Sequence, residues 1–582
     1  MSKNCVYFKL IAVCLVISLL VIHLGQLPVN AVDKTAEIEK VHCNATLEDA
    51  FTEDEIIIVV NPEWNNKEYT VNDFASISCM GVEEIADSEG KGVLSRILLL
   101  TIADGTKQKV LDAIKLLEKR EDVHSAEPNY LESMGDTFAP VIPQGNVSVM
   151  GTQSIGGIMN TNSTDVDPLW PVEKIDLEEA LEIKTTDNTV YVGVIDSGIS
   201  IDLLSKMDYR KCKSFVTNST TGQTSAPIVD ESGHGTHVAG IITGRSNGPT
   251  TGVYANIKLV SLKVWETEDD TATVSTITQA IEYAESIGVQ ILNYSGGGYG
   301  NGSDIESRRV VIENYSGLFV CAAGNYARNN DSTPFYPSNH RLPNLISVAA
   351  STENDTKYYK SNYGQTTVDI FAPGENIVSN FPIVMCDREY CGYGGHYSYG
   401  YHCMSGTSMA APFVTGVAAM LLSENPDLTA AQIKAKIMTD CDKVSVFADK
   451  CVSGGRLNAY KALLDVNTYY AITPEFPITA ELAEDEYHWY KFVAPEDGWY
   501  DFYSEYTESY LNVRGELFYE IVPDGSTEGR VDEADDLYEP DDGNDPDRNF
   551  DMYRELNEGD EVYIRVSAYS EGSYTFYAIK WK

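Results

Sequence analysis

Between residues 190 and 350 the chain carries short, largely apolar runs, "TVYVGVID", "NIKLVSLKV", "VQILNYS" and "GLFVCAAG", which predict buried strands. Between and after them, "TVSTITQAIEYAESI" and "MAAPFVTGVAAMLLSE" place apolar residues at helical spacing. Strand and helix in alternation predict an α/β domain over residues 166–465, with a mostly parallel, doubly covered sheet. The flanking segments are patterned differently. Residues 43–134 hold the strands "EIIIVV" and "RILLLTI" and then "KQKVLDAIKLLEKR", whose Val110, Ile114 and Leu117 recur at helical spacing, so a small α+β unit is expected. Residues 135–165, rich in Gly, Ser, Thr, Asn and Pro, read as an exposed linker. From 470 to 582 short alternating runs such as "YHWYKFV", "GWYDFYSEY" and "EVYIRVSAY" predict a β-sandwich.

The ends and the charge alter this picture. Lys3 and Lys9 flank the start of the apolar run Leu10 to Leu24, and "VNA" at Val29–Ala31 offers small residues for cleavage, so residues 1–31 read as a secretory signal and the protein as extracellular. The run is shorter than the roughly 20 residues that a spanning helix needs, and His23 interrupts it. A formal charge of −45 excludes nucleic acid as a partner, since there is no basic excess to displace counterions. The tail alone holds 29 acids against 8 Lys and Arg. Its loop "DEADDLYEPDDGNDPD" offers Asp535, Asp536, Asp541, Asp542, Asp545 and Asp547 as oxygen ligands for a structural calcium, or else is a solvated acidic loop.

Of eleven cysteines, Cys5 and Cys14 lie in the signal, so an odd number remains after export, which requires a free thiol or an intermolecular bridge. Cys441 and Cys451 form the easiest pair to close, and Cys321 in "GLFVCAAGN" reads as a buried core thiol. In "CDREYCGYGGHYSYGYHC" a disulfide between two of Cys386, Cys391 and Cys403 is expected in an oxidising compartment. A zinc site using His396 and His402 is the less favoured reading, because the spacings match no familiar zinc pattern.

Three polar positions in the α/β segment stand out. Asp196 ends "TVYVGVID", at the carboxyl edge of the expected sheet where such folds gather their sites. By itself it would be a turn residue or a helix cap. His234 lies in "GHGTHVAGII", with Gly233 and Gly235 allowing close backbone approach, while His237 reads as a hydrogen-bonded packing residue. Ser408 in "GTSMAAPFVTG" opens a helix, with Pro412 tolerable in its first turn. Such a serine is ordinarily a cap. It can also be a nucleophile whose developing oxyanion faces free N–H groups.

Together, "VIDSGI", "GHGTHVAG", "AAGN" and "GTSMAAP", in this order, resemble the subtilisin family of serine peptidases over residues 166–465. The resemblance implies a subtilisin-like fold, with Asp196 orienting the imidazole, His234 as general acid/base, Ser408 as nucleophile and Asn325 as a side-chain donor to the oxyanion. A serine hydroxyl is a poor nucleophile near neutral pH, so an imidazole must take its proton during attack and return it to the leaving amine. The resemblance further implies polypeptide substrates held on Ser295, Gly296 and Gly297, with Phe335 at the base and Tyr326 at the rim of the pocket for the residue before the scissile bond. Phe335 turned into the core is the other reading. The segment ending "REDVHSAEPNY" resembles the family's inhibitory propeptide, an intramolecular partner removed by a cut between Tyr130 and Asp167, and "DPLWPVEKI" resembles the start of the mature domain. No cofactor or metal is required for this chemistry. Many family members bind calcium, but the acidic position expected after Asp196 is Ser205 here, which leaves only Asn247 ligand-like. The expected protein is a monomeric, self-processed zymogen. A catalytically idle binder of polypeptides and a processing peptidase with one dedicated substrate are the other readings, and an idle binder would have no need of an inhibitor.

Overall fold

The computed structural model describes residues 40–87, 94–133, 169–382 and 401–464, with short gaps at 187, 217–223, 245–252, 254–255, 268–269 and 300–305, and the strands between 470 and 580. The expected signal, the linker, Asn247, Cys386, Cys391, His396 and most of the acidic loop lie outside the described residues.

The α/β segment is built on a nine-stranded sheet. Its long strands are Val190–Asp196, Ile257–Lys263, Ile291–Tyr294, Leu318–Ala322, Leu345–Ser351 and Ile370–Pro373, all paired in parallel. Only the edge pair Asp442–Lys443 and Gly455–Arg456 is antiparallel. Helices cover both faces, which is why these strands carry apolar residues on both sides. On one face lie His234–Thr243 and Thr407–Glu424, the latter buried along its whole length, its alanines and glycine letting it lie close to the strands. On the other lie Val274–Ser286 and Glu306–Asn314.

The N-terminal segment is an antiparallel sheet in the order Cys79–Asp87, Arg96–Ile102, Phe51–Val60, Val123–Glu132, with the helix Lys107–Leu117 against it. The Thr106 hydroxyl accepts from Lys109 N and caps that helix. The helix buries Val110, Ala113, Ile114 and Leu117, and the sheet shares one apolar cluster with the helices Val274–Ser286 and Glu306–Asn314. The interface is also polar: Asn129 Nδ2 donates to Ser275 Oγ at 2.8 Å, while Ser275 N donates back to Asn129 Oδ1 at 3.0 Å.

Residues 470–580 form a five-stranded and a four-stranded sheet whose inward residues, among them Tyr490, Phe492, Phe502, Ile564 and Phe576, make a core of their own.

The cysteines require a correction. Cys441 and Cys451 are free thiols. Cys441 Sγ donates to Met438 O at 3.1 Å, at the end of its helix, and Cys451 Sγ lies among Phe447 O, Ser453 Oγ and Gly455 O, so each sulfur is satisfied by its own turn. Burial pushes the Cys451 thiol up to about 12. Cys321 is a fully buried thiol in the strand Leu318–Ala322.

Candidate active site

The strand Val190–Asp196 lies between Ile257–Lys263 and Ile291–Tyr294, where the strand order reverses. At such a point the loops leaving the carboxyl ends turn to opposite faces and open a crevice. Asp196, the last residue of the strand, is fully buried, and its Oδ1 accepts from Ser197 N at 2.7 Å and Ser197 Oγ at 3.2 Å.

His234 is the first residue of its helix. Gly233 before it has φ +82°, and a Cβ there would strike the Phe381 ring. A Cβ on Gly235 would run into Gly198 O and come against the Asp196 side chain. Gly235 thus lets the helix N-terminus lie hard against the strand end, Gly233 lets Phe381 close over the turn, and His234 Nδ1 stands 2.8 Å from Asp196 Oδ1. With Nδ1–H donated to the carboxylate, Nε2 keeps the lone pair. Burial disfavours the imidazolium, but the charge and hydrogen bond of Asp196, joined by the charge of Asp230, outweigh it and hold the pKa above the usual range.

Asp230 was not singled out in the sequence. Fully inside, it accepts from Ser232 N at 3.2 Å, Gly233 N at 2.7 Å, Ser197 Oγ at 2.8 Å, Thr236 N at 2.8 Å and Thr236 Oγ1 at 2.6 Å. It therefore ties the His234 turn to the residue that holds Asp196. The only signal of it was an acid just ahead of "SGHGTH".

Ser408 is the second residue of the helix Thr407–Glu424, entered through Gly406 at φ +154°. Its hydroxyl donates to Ser295 O at 3.2 Å. Pro412 lies beyond the first turn, contrary to expectation, and has no N–H for the carbonyl four residues back. That carbonyl belongs to Ser408, and it accepts instead from Ser295 Oγ at 3.0 Å. Asn325 Oδ1 accepts from Thr407 N at 2.8 Å and Thr407 Oγ1 at 3.0 Å, which leaves the amide Nδ2 to donate. Asn325 with Thr407 and Ser408 with Ser295 are thus two hydrogen-bonded pairs joined through the chain at the start of the helix, and Asp196 with His234 is a third.

A further group surrounds Gly297. Phe335 is buried with its ring beside Gly297 and Gly324, where a Cβ on Gly297 would strike it, and edge-on to Tyr299 at 5.1 Å. Tyr326, partly exposed, stands 6.3 Å from Phe335 and 5.1 Å from Tyr299. A Cβ on Gly296 would strike the Trp265 ring.

The end of the N-terminal sheet runs into this edge. Leu131 and Glu132 pair antiparallel with Thr273 and Ala272, and Ser133 pairs antiparallel with Gly297, whose N–H donates to Ser133 O at 3.1 Å. Residues 131–133 therefore lie as a strand between two edges of the α/β domain. His237 is a buried packing residue: Nε2 faces Ile377 O and His402 O, both at 3.1 Å, and burial holds its pKa near 3. Those carbonyls belong to the hairpin Ile377–Asn380 with Tyr401–Met404, which carries Cys403 as a buried thiol and brings Phe381 to Gly233.

Residues 187–458 match the family model described as the subtilase family. The chain is 30% identical over 296 residues to thermitase of Thermoactinomyces vulgaris, covering 50% of this chain and 94% of that protein. The chain belongs to the subtilase family. It is accordingly a subtilisin-like serine endopeptidase. The subtilase is also 29% identical over 419 residues to a thermophilic serine proteinase of Bacillus sp. (strain AK1), covering 71% of this chain and 88% of that one. In fold it is similar to fervidolysin from Fervidobacterium pennivorans, with a TM-score of 0.52 and 19% identity over 92% of this chain and 71% of that one.

Proposed function

We propose that this subtilase is a secreted endopeptidase made as a self-inhibited precursor, in which residues 43–134 are the propeptide. The observation that carries this is the strand 131–133, paired with Ala272–Thr273 on one side and Gly297 on the other, in the manner of a peptide substrate added to a sheet edge. Asp196 holds the His234 tautomer and stabilises the imidazolium. His234 Nε2 takes the Ser408 proton as Oγ attacks the carbonyl, then delivers it to the leaving amine. The Ser408 N–H and Asn325 Nδ2 receive the oxyanion, and the Thr407 contacts hold that amide in place. Phe335 fills the space under Gly297, so the pocket for the residue before the scissile bond takes small or medium side chains. Counting two residues onward from Ser133 in the sequence, as Ser295 lies two before Gly297, predicts the first self-cleavage at the Gly135–Asp136 bond.

The test is expression of residues 32–582 with and without Ser408→Ala. The unaltered chain is expected to release the N-terminal unit and hydrolyse casein, and the variant to keep the unit and remain inert. Retention of the unit by both, with no hydrolysis by either, overturns the reading. Mass spectrometry of the released unit locates the bond.

A further inference from the structure

The strand that occupies the cleft brings a carboxylate with it. Glu132 is 2% exposed, enclosed by the α/β domain. Its Oε1 forms an ion pair with Arg308 Nη1, its Oε2 accepts from the Tyr294 hydroxyl at 2.5 Å, and its backbone carbonyl accepts from Trp265 Nε1 at 3.3 Å. Arg308, Tyr294 and Trp265 are each fully buried and all belong to the α/β domain. Among the described residues Glu132 is the only carboxylate in ion-pair distance of Arg308. The neighbouring acids are engaged elsewhere: Glu306 pairs with Arg309, and Glu127 accepts from Glu306 N and Ser307 Oγ at the start of the helix. Two other titratable groups feel the Arg308 charge: His340, buried and held neutral by burial and by that same charge, and the buried Cys321 thiol, whose pKa burial raises against it.

A guanidinium cannot shed its proton, so a buried arginine needs an anionic partner. Loss of the propeptide removes that partner and leaves Arg308 at the floor of a slot in the substrate cleft. We propose that Arg308, with the Tyr294 hydroxyl, forms a specificity pocket of the mature enzyme that selects an acidic side chain, glutamate by its reach, three residues before the residue whose carbonyl is cleaved. This rests on the reading of the cleft as the substrate site and of residues 131–133 as its occupant. A substrate glutamate restores the ion pair and the Tyr294 hydrogen bond. An apolar side chain there leaves the guanidinium dehydrated with no counter-ion, and a lysine sets two cations together.

The experiment uses the self-processed enzyme and a set of peptides identical but for Glu, Gln, Leu or Lys at that position. The Glu peptide is expected to exceed the Gln and Leu peptides in kcat/KM by about tenfold or more, with Lys poorest. Arg308→Met should erase the preference, and Arg308→Lys should restore part of it. If Arg308→Met does not fold, the peptide set on the unaltered enzyme decides alone. Hydrolysis with equal or better rates for Leu overturns the pocket and leaves the peptidase reading intact. No hydrolysis of any peptide or of casein overturns both.

Discussion

Two buried pairs each set a carboxylate against a basic side chain, and they differ in almost every other respect. Asp196 and His234 belong to one domain and are joined at 2.8 Å by a strand end and a helix start that Gly235 allows to meet. Glu132 and Arg308 come from different units and meet only because one strand register carries the N-terminal sheet into the cleft. In the proposed reaction the first pair is part of the machinery. On the proposed function the second is made in the precursor and dissolved on activation, which frees its cation to meet a substrate. A lasting pair thus tunes a base, whereas a removable one can pass information from an inhibitor to a specificity pocket.

The largest effect should come from breaking the first pair. Asp196→Asn preserves the shape but removes the carboxylate charge and offers an amide N–H to Nδ1, which selects the wrong tautomer, and kcat is expected to fall by about 10⁴ with little change in KM. Steady-state kinetics on the processed enzyme, or on a chain whose N-terminal unit is removed by an added protease, measures it. Asn325→Leu removes a donor to the oxyanion and should lower kcat by about 10² to 10³, again with KM little changed; the magnitude is the one known for subtilisin itself.

Breaking the second pair should leave the chemistry alone. In a Ser408→Ala precursor, Glu132→Leu strands Arg308 without its counter-ion and is expected to cost about 3 kcal/mol or more of stability. Denaturant unfolding of the two precursors reads the difference, and no loss would mean that the pair is not formed in solution. The smallest effect concerns Glu127, another acid of the N-terminal unit buried against the α/β domain. Burial is the leading cause that raises its pKa to about 8, against the hydrogen bonds from Ser307 and Glu306 N. A carboxyl with a raised pKa in the associated state contributes stability that is whole below its ordinary value near 4.5 and is lost as pH rises to about 8. Release of the cut propeptide should therefore quicken several-fold between pH 5 and pH 8, and Glu127→Gln should flatten that rise. The lag before peptidase activity appears, followed across this range, is the measurement.

What could be read along the chain was whatever depends on near neighbours. Asp196, His234, Ser408 and Asn325 each sit in a short stretch whose glycines and small residues announce a backbone under close constraint, and the apolar runs around them carry the period of the sheet and its helices. Asp230 escaped because an acid in a turn is ordinarily just that; its role rests on five donors that folding gathers around it. The Cys441–Cys451 pairing went wrong for a related reason, since spacing says nothing of where two sulfurs point. Pro412 was placed in the first turn, yet its effect is to free the Ser408 carbonyl for a serine 113 residues away.

The sequence by itself determined the kind of domain and singled out the residues proposed for acyl transfer, because hydrophobic period and local backbone demands are properties of adjacent positions. Only the tertiary structure decided that Glu132 meets Arg308, or that Thr407 turns the Asn325 amide. Such contacts join residues far apart in the chain. Their register is set by the summed packing of whole sheets and helices, which no single stretch contains.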